Sequence, residues 1–192
     1  MKVIAFNGSP RKDGNTGILI HHVLDELKKE RIKTEYIHLG GKKISGCIAC
    51  YQCFKKKDKQ CAIKSDAVNS YIKKMMGADG IILGSPTYFT DITPEMKALI
   101  DRAGLVARAN KDMFRRKIGA AVIAVRRAGA THAFDTINHF FLIEQMIIAG
   151  SIYWNMGIGL DKGDVEKDEE GIMTMKVLGQ NVAWLLKKLA GS

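Results

Sequence analysis

The chain has 192 residues, 46% of them hydrophobic and 26% charged, the composition of one globular domain with a sizeable core and not of a disordered or fibrous chain. No apolar run reaches the roughly 20 residues that span a bilayer, and the apolar N-terminal stretch lacks a signal peptide's basic head and cleavage site, so a cytoplasmic protein without a membrane partner is expected. The formal charge of +10 comes from basic residues scattered along helix faces, with no helix-turn-helix, zinc-finger spacing or aromatic-basic interleaving, which argues against nucleic acid and leaves an acidic partner or anionic substrate as what such a field attracts.

The first strand reads KVIAF and ends at Asn7-Gly8-Ser9-Pro10; a helical pattern begins near Asn15-Thr16 and runs from Gly17 to Glu30. A second strand, TEYIHL, leads into a connection longer than the usual two to six residues. That connection holds all four cysteines, in CIACYQCFKKKDKQC, residues 47–61. Next come a helix over Asp66 to Gly77, the strand GIILGS, and a helix over Thr93 to Ala107, which Thr93 is expected to cap and Pro94 to open. The strand IGAAVIAV precedes the loop VRRAGATHAF, a helix over Ala133 to Ile148 and a fifth strand, GSIYW. The segment GIGLDKG, residues 157–163, is read as a turn, and a last helix over Glu169 to Leu189 buries Val177, Leu178, Val182, Leu185, Leu186 and Leu189.

Strands alternating with helices predict an α/β doubly wound five-stranded parallel sheet, order 2-1-3-4-5, with helices on both faces. Residues 1–192 form a single domain in this reading, with a cysteine-rich loop insertion at about 45–65. In such a sheet the loop GSPRKDGNT, residues 8–16, lies where phosphate binds: backbone N–H groups and a helix N-terminus supply donors, and Ser9, Arg11, Asn15 and Thr16 add more. It is neither of the standard triphosphate or dinucleotide loops, so it suits a single terminal phosphate; the plainer alternative is a Gly/Asn turn with a helix cap. The topological switch point sets the loop after the third strand beside it. There, backbone amides meet the polar edge of a ring system and Tyr88 and Phe89 form a flat wall, unless the two aromatics are core residues at a strand end.

Cys47, Cys50, Cys53 and Cys61 have the spacing C-x2-C-x2-C-x7-C. In the reducing cytosol a tight cluster binds metal more often than it forms disulfides. Three thiolates at one pitch wrap an iron–sulfur cluster, four satisfy zinc, and a loop without metal is the third alternative. Lys55, Lys56, Lys57 and Lys59 offset the negative charge of such a site.

GSPRKDGNT followed by GSPTYF and ITPEMKALIDR resembles the NADPH-dependent FMN reductase and flavodoxin-like superfamily. With the cysteine run between them, the pattern is similar to the iron–sulfur flavoproteins of anaerobic bacteria and archaea. The resemblance implies a flavodoxin-like sheet and FMN held by Ser9, Arg11, Lys12, Asn15 and Thr16 at the phosphate and by Pro86, Thr87, Tyr88 and Phe89 at the ring. It implies a single [4Fe-4S] cluster on the four cysteines, and a homodimer or homotetramer in which a neighbouring subunit covers the flavin. A third flavin-facing loop would bring Arg126, Ala128 and Gly129. Arg126 and Arg127 depart from the glycine-rich pattern of many relatives; an arginine there would stabilise the anionic reduced flavin, the alternative being solvent or a subunit interface. His132 is either a proton donor to the flavin or a capping or interface residue. The implied function is an FMN-dependent oxidoreductase passing electrons between a soluble donor, ferredoxin or NAD(P)H, and an acceptor. The alternatives are an NAD(P)H-dependent FMN or quinone reductase without a cluster, and a non-enzymatic flavin- or metal-binding regulatory module. No catalytic side chain stands out, as expected when the cofactor carries the chemistry.

Overall fold

A computed structural model describes residues 1–191. β1 (Lys2–Asn7), β2 (Lys33–His38), β3 (Gly80–Pro86) and β4 (Ile118–Val125) pair in parallel in the order β2-β1-β3-β4. The fifth position is filled twice: β5 (Ile147–Ile148) pairs with Ile118 and Gly119, and β6 (Met156–Ile158) with Ile123 to Val125. The order 2-1-3-4-5 is therefore the one the sequence predicts, with an interrupted last strand.

That interruption corrects the fifth strand. Ile152, Tyr153 and Trp154 have the β-branched and aromatic character of a strand, yet all three are exposed, on an excursion between β5 and β6. The Ser151 hydroxyl bridges the Tyr153 carbonyl (2.8 Å) and Asn155 Oδ1 (2.6 Å), folding the backbone away from the sheet. It rejoins where Ile123 N–H donates to the Asn155 carbonyl at 2.9 Å. The preceding helix is shorter than predicted for a related reason: Gln145 takes a φ of 58°, which ends the helical path and frees Ile147 and Ile148 for the sheet.

Helices α1 (Asn15–Lys29) and α6 (Glu169–Ala190) cover one face, and α3 (Val68–Met76), α4 (Pro94–Ala109) and α5 (Ala130–Ile143) the other; the short α2 (Gln52–Lys56) lies in the cysteine loop. Strand alternation divides the core accordingly, Val3 and Ala5 facing α1 and α6 while Ile4 and Phe6 face α3 and α4. On α6 the expected face is buried at Leu178, Val182 and Leu186, whereas Leu189 is 44% exposed. α1 packs closely on β3 because Gly84 has no side chain; a Cβ there would lie 2.5 Å from Ile20 Cδ1. Among the described residues no helix is long and apolar enough to cross a membrane. The parallel arrangement brings the loops after β1, β3, β4 and β6 to one edge of the sheet.

Candidate functional site

At that edge lies a cavity of about 160 Å³ lined by Ser9, Arg11, Asn15 and Thr16 from the first loop, Pro86, Thr87 and Tyr88 from the second, and Arg126 from the third. α1 begins at Asn15, with Gly14 before it and no side-chain cap on its first turn. Thr16 is 1% exposed and its Oγ1 has no hydrogen-bond partner. An uncapped helix N-terminus and an orphan hydroxyl on one cavity form the donor set an anion completes, in place of the plainer capped turn. The loop is held rigidly: Ser9 N–H donates to Asn7 Oδ1 (2.9 Å), Asn7 Nδ2 to the Tyr36 hydroxyl (2.8 Å), Arg11 N–H to Ser9 Oγ (3.1 Å), and His38 Nε2 to the Ser9 carbonyl (2.7 Å).

Asn15 lines the cavity and also ties the first loop to a later segment. Its Nδ2 donates to the Asp161 carbonyl and its Oδ1 accepts from Gly163 N–H, both at 2.9 Å, while Arg11 Nη1 reaches the Leu160 carbonyl at 3.4 Å. The segment read as a turn thus becomes a fourth wall, with Gly159 and Leu160 on the cavity. The closely spaced glycines of GIGLDKG were its only signal: a Cβ on Gly159 would meet Asn15 Nδ2 at 2.7 Å.

In the second loop, Tyr88 and Asp91 exchange backbone hydrogen bonds of 2.7 and 2.9 Å around Phe89 (φ 45°) and Thr90 (φ 66°). This is a tight turn through the left-handed region by two residues that rarely adopt it. Phe89 stands in solvent and Tyr88 is about half exposed, so neither is a core aromatic. The amides of Thr87 and Tyr88 already bond to the Ala124 and Asp91 carbonyls, leaving the Tyr88 ring, not those amides, to meet a ligand. Thr93 does not cap α4: its hydroxyl donates to the Gly8 carbonyl at 2.8 Å and its N–H to Ser85 Oγ at 3.0 Å, tying the first loop to the second. Pro94 opens α4 as predicted.

Lys12, Phe89, Ala128 and Gly129 do not line this cavity. Lys12 faces another, of about 460 Å³, with Tyr36 and His21. Gly129 (φ 87°) precedes α5 and packs on Thr90, where a Cβ would lie 2.9 Å from Thr90 Cα. Arg127 is exposed, and His132 sits 3.7 Å from the Asp91 carboxylate without capping a helix.

The four cysteines line one small cavity, with Ile63, Leu105, Val106 and the Arg102 guanidinium among its walls. Ala49 and Tyr51 take φ values of 49° and 52°, reversals of the backbone between the first three closely spaced cysteines. All four are free thiols; Cys47 and Cys50 are exposed, Cys61 is half-buried and Cys53 buried. Burial pushes the Cys53 thiol above its ordinary range, and Cys50 and Cys61 add to the effect. Asn69 braces Cys61, its Oδ1 accepting from Cys61 N–H (2.7 Å) and its Nδ2 donating to the Cys61 carbonyl (3.0 Å). Among the described residues no three His, Cys, Asp or Glu side chains are gathered as the shell of one metal ion. Four thiols around one cavity, backed by apolar walls and a single cation, are a donor set that fits an iron–sulfur group.

The family model for NADPH-dependent FMN reductase matches residues 1–161. The chain is 39% identical to one iron–sulfur flavoprotein of Methanocaldococcus jannaschii, over 97% of this chain and 98% of that one. It is 32% identical to a second from the same organism, over the full length of both. Its fold is similar to that of a flavodoxin from the domain Archaea, with a TM-score of 0.64 and 19% identity over 97% of this chain and 99% of that one. With its 2-1-3-4-5 sheet and its cavity at the switch point, the chain belongs to the iron–sulfur flavoproteins within the NADPH-dependent FMN reductase family, flavin oxidoreductases of flavodoxin-like fold.

Proposed function

We propose that the protein passes electrons between a soluble donor and an acceptor, using FMN at the cavity on the sheet edge and a [4Fe-4S] cluster on Cys47, Cys50, Cys53 and Cys61. The observation that carries the flavin assignment is the orphan Thr16 hydroxyl on the uncapped first turn of α1. In this reading Ser9 and Thr16 hold the phosphate with the first-turn amides. Asn15 and Arg11 keep residues 159–163 closed over it, the Tyr88 ring lies against the flat body of the flavin, and Arg126 supplies positive charge at the mouth. When bound, FMN exchanges two electrons at once or one at a time, and the cluster exchanges them singly. The cysteine loop offers an electron carrier exposed lysines at 55, 56, 57 and 59, a field that speeds encounter with an acidic protein such as ferredoxin. The fully exposed Phe89 supports a homodimer or homotetramer in which a neighbouring subunit covers the flavin.

The match to NADPH-dependent FMN reductase over most of the chain favours, as a second reading, direct reduction by NAD(P)H without a cluster. Steady-state oxidation of NADPH against a quinone separates the two. Cys50→Ser is expected to abolish electron exchange with reduced ferredoxin, whereas NADPH turnover that survives this substitution at the wild-type rate supports the second reading.

A further inference from the structure

Arg102 is the largest fully buried side chain in the protein, 1% exposed in the middle of α4. Its donors all turn to the cysteine loop. Nη1 donates to the Ser45 carbonyl (3.1 Å) and to the Asp66 carboxylate, Nη2 to the Ile63 carbonyl (3.1 Å), and Nε to Cys61 Sγ (3.3 Å). Asp66 is buried as well and accepts from Ser45 N–H (3.2 Å) and Val68 N–H (3.1 Å). Burying a guanidinium carries a desolvation cost that pairing repays only where the geometry is good and the remaining donors are satisfied. Bracing backbone carbonyls needs no charge: the neutral Asn69 amide does so at Cys61 and at the same Ile63 carbonyl. The buried charge therefore answers another charge. Asp66 takes the Nη1 side, and the Nε edge, with the positive end of the pair, faces sulfur.

We propose that Arg102 tunes the cysteine site electrostatically: its Nε–H bond to Cys61 Sγ stabilises negative charge on a thiolate-bound iron–sulfur cluster and so raises its reduction potential. This rests on the cluster assignment made above. Arg102 is a positioning residue acting through Cys61. Hydrogen bonds to sulfur and the local net charge set cluster potentials, and a cation at this distance favours the more negative, reduced form. One electron enters from the external reductant, and no bond to Arg102 breaks. Asp66 opposes the effect from the far side, so removing its charge shifts the potential the other way.

The test begins with wild-type protein reconstituted anaerobically with iron and sulfide and assayed for both; absence of both overturns the cluster assignment itself. Loaded wild type, Arg102→Gln, Arg102→Lys and Asp66→Asn are then titrated against redox mediators and followed by electron paramagnetic resonance. At the wild-type midpoint the reduced-to-oxidised ratio is expected to fall about tenfold in Arg102→Gln, equivalent to about 59 mV for one electron. It should stay closer to wild type in Arg102→Lys and rise in Asp66→Asn. Wild-type potentials in every variant, with only melting temperatures lowered, would reduce Arg102 to a structural clamp and overturn the proposal. Should Arg102→Gln fail to fold or load, wild-type protein labelled with ¹⁵N-arginine decides: pulsed resonance on the reduced cluster is expected to show coupling to a nearby arginine nitrogen, and its absence overturns the assignment.

Discussion

Thr16 and Glu144 are both buried, each lines a cavity, and their side-chain oxygens lack hydrogen-bond partners. Thr16 lines the sheet-edge cavity and its Oγ1 has no partner, which under the proposed function a ligand would supply. Thr16→Val is expected to leave the ligand-free protein as stable as wild type or about 1 kcal/mol more so, while weakening FMN binding about tenfold, the loss of one hydrogen bond to a charged group; melting curves with and without FMN check both. Glu144 is fully buried at the end of α5 with neither carboxylate oxygen bonded. Burial raises its pKa to about 7, Arg108 opposing and Asp112 reinforcing the shift. An acid whose pKa rises on folding binds its proton more tightly in the native state. Stability is then greatest below the unfolded pKa, falls as pH rises from there to about 7, and levels off above it, a loss of about 3 kcal/mol from this group. Denaturant titrations across that range should show this slope in wild type and lose it in Glu144→Gln. Arg102 was the least legible residue: within ALIDRAGL it reads as an ordinary helix-surface charge, and only the packing of the cysteine loop over α4 shows it buried.

At the scale of elements, β1, the start of α1 and the order of the first four strands were legible because Gly, Asn and Pro punctuate them and the strands are unbroken apolar runs. The fifth strand was not. Side-chain character marked Ile152 to Trp154 as a strand, but the hydrogen bonds of Ser151 turn those residues outward, and two shorter segments with weaker signals pair with β4 instead. The same local bias hid the fourth wall of the cavity. Gly159→Ala would place a methyl 2.7 Å from Asn15 Nδ2 and 2.8 Å from Val165 N, so it is expected to push the wall off the phosphate loop. FMN affinity should fall at least tenfold, and because the clash with Val165 N is against backbone the ligand-free protein should also melt lower; an unchanged affinity in a fluorescence titration would show that residues 159–163 do not enclose the ligand.

For the whole molecule, one sheet edge gathers the four-walled cavity, and a basic loop over the opposite face from α1 and α6 carries the four thiols. In the proposed exchange with an acidic carrier, the rate should fall steeply with ionic strength, and neutralising Lys55, Lys56, Lys57 and Lys59 together should flatten that dependence. Stopped-flow reduction by ferredoxin at increasing salt measures it. The most direct test of the two-centre account is the composition of anaerobically purified protein, read from its absorbance spectrum with iron, acid-labile sulfide and flavin assays. The account predicts one FMN per chain together with iron and sulfide in equal amounts, four of each per chain for the cluster type proposed, and loss of the iron with retention of the flavin in Cys53→Ser. Protein that carries flavin but neither iron nor sulfide under those conditions would contradict it.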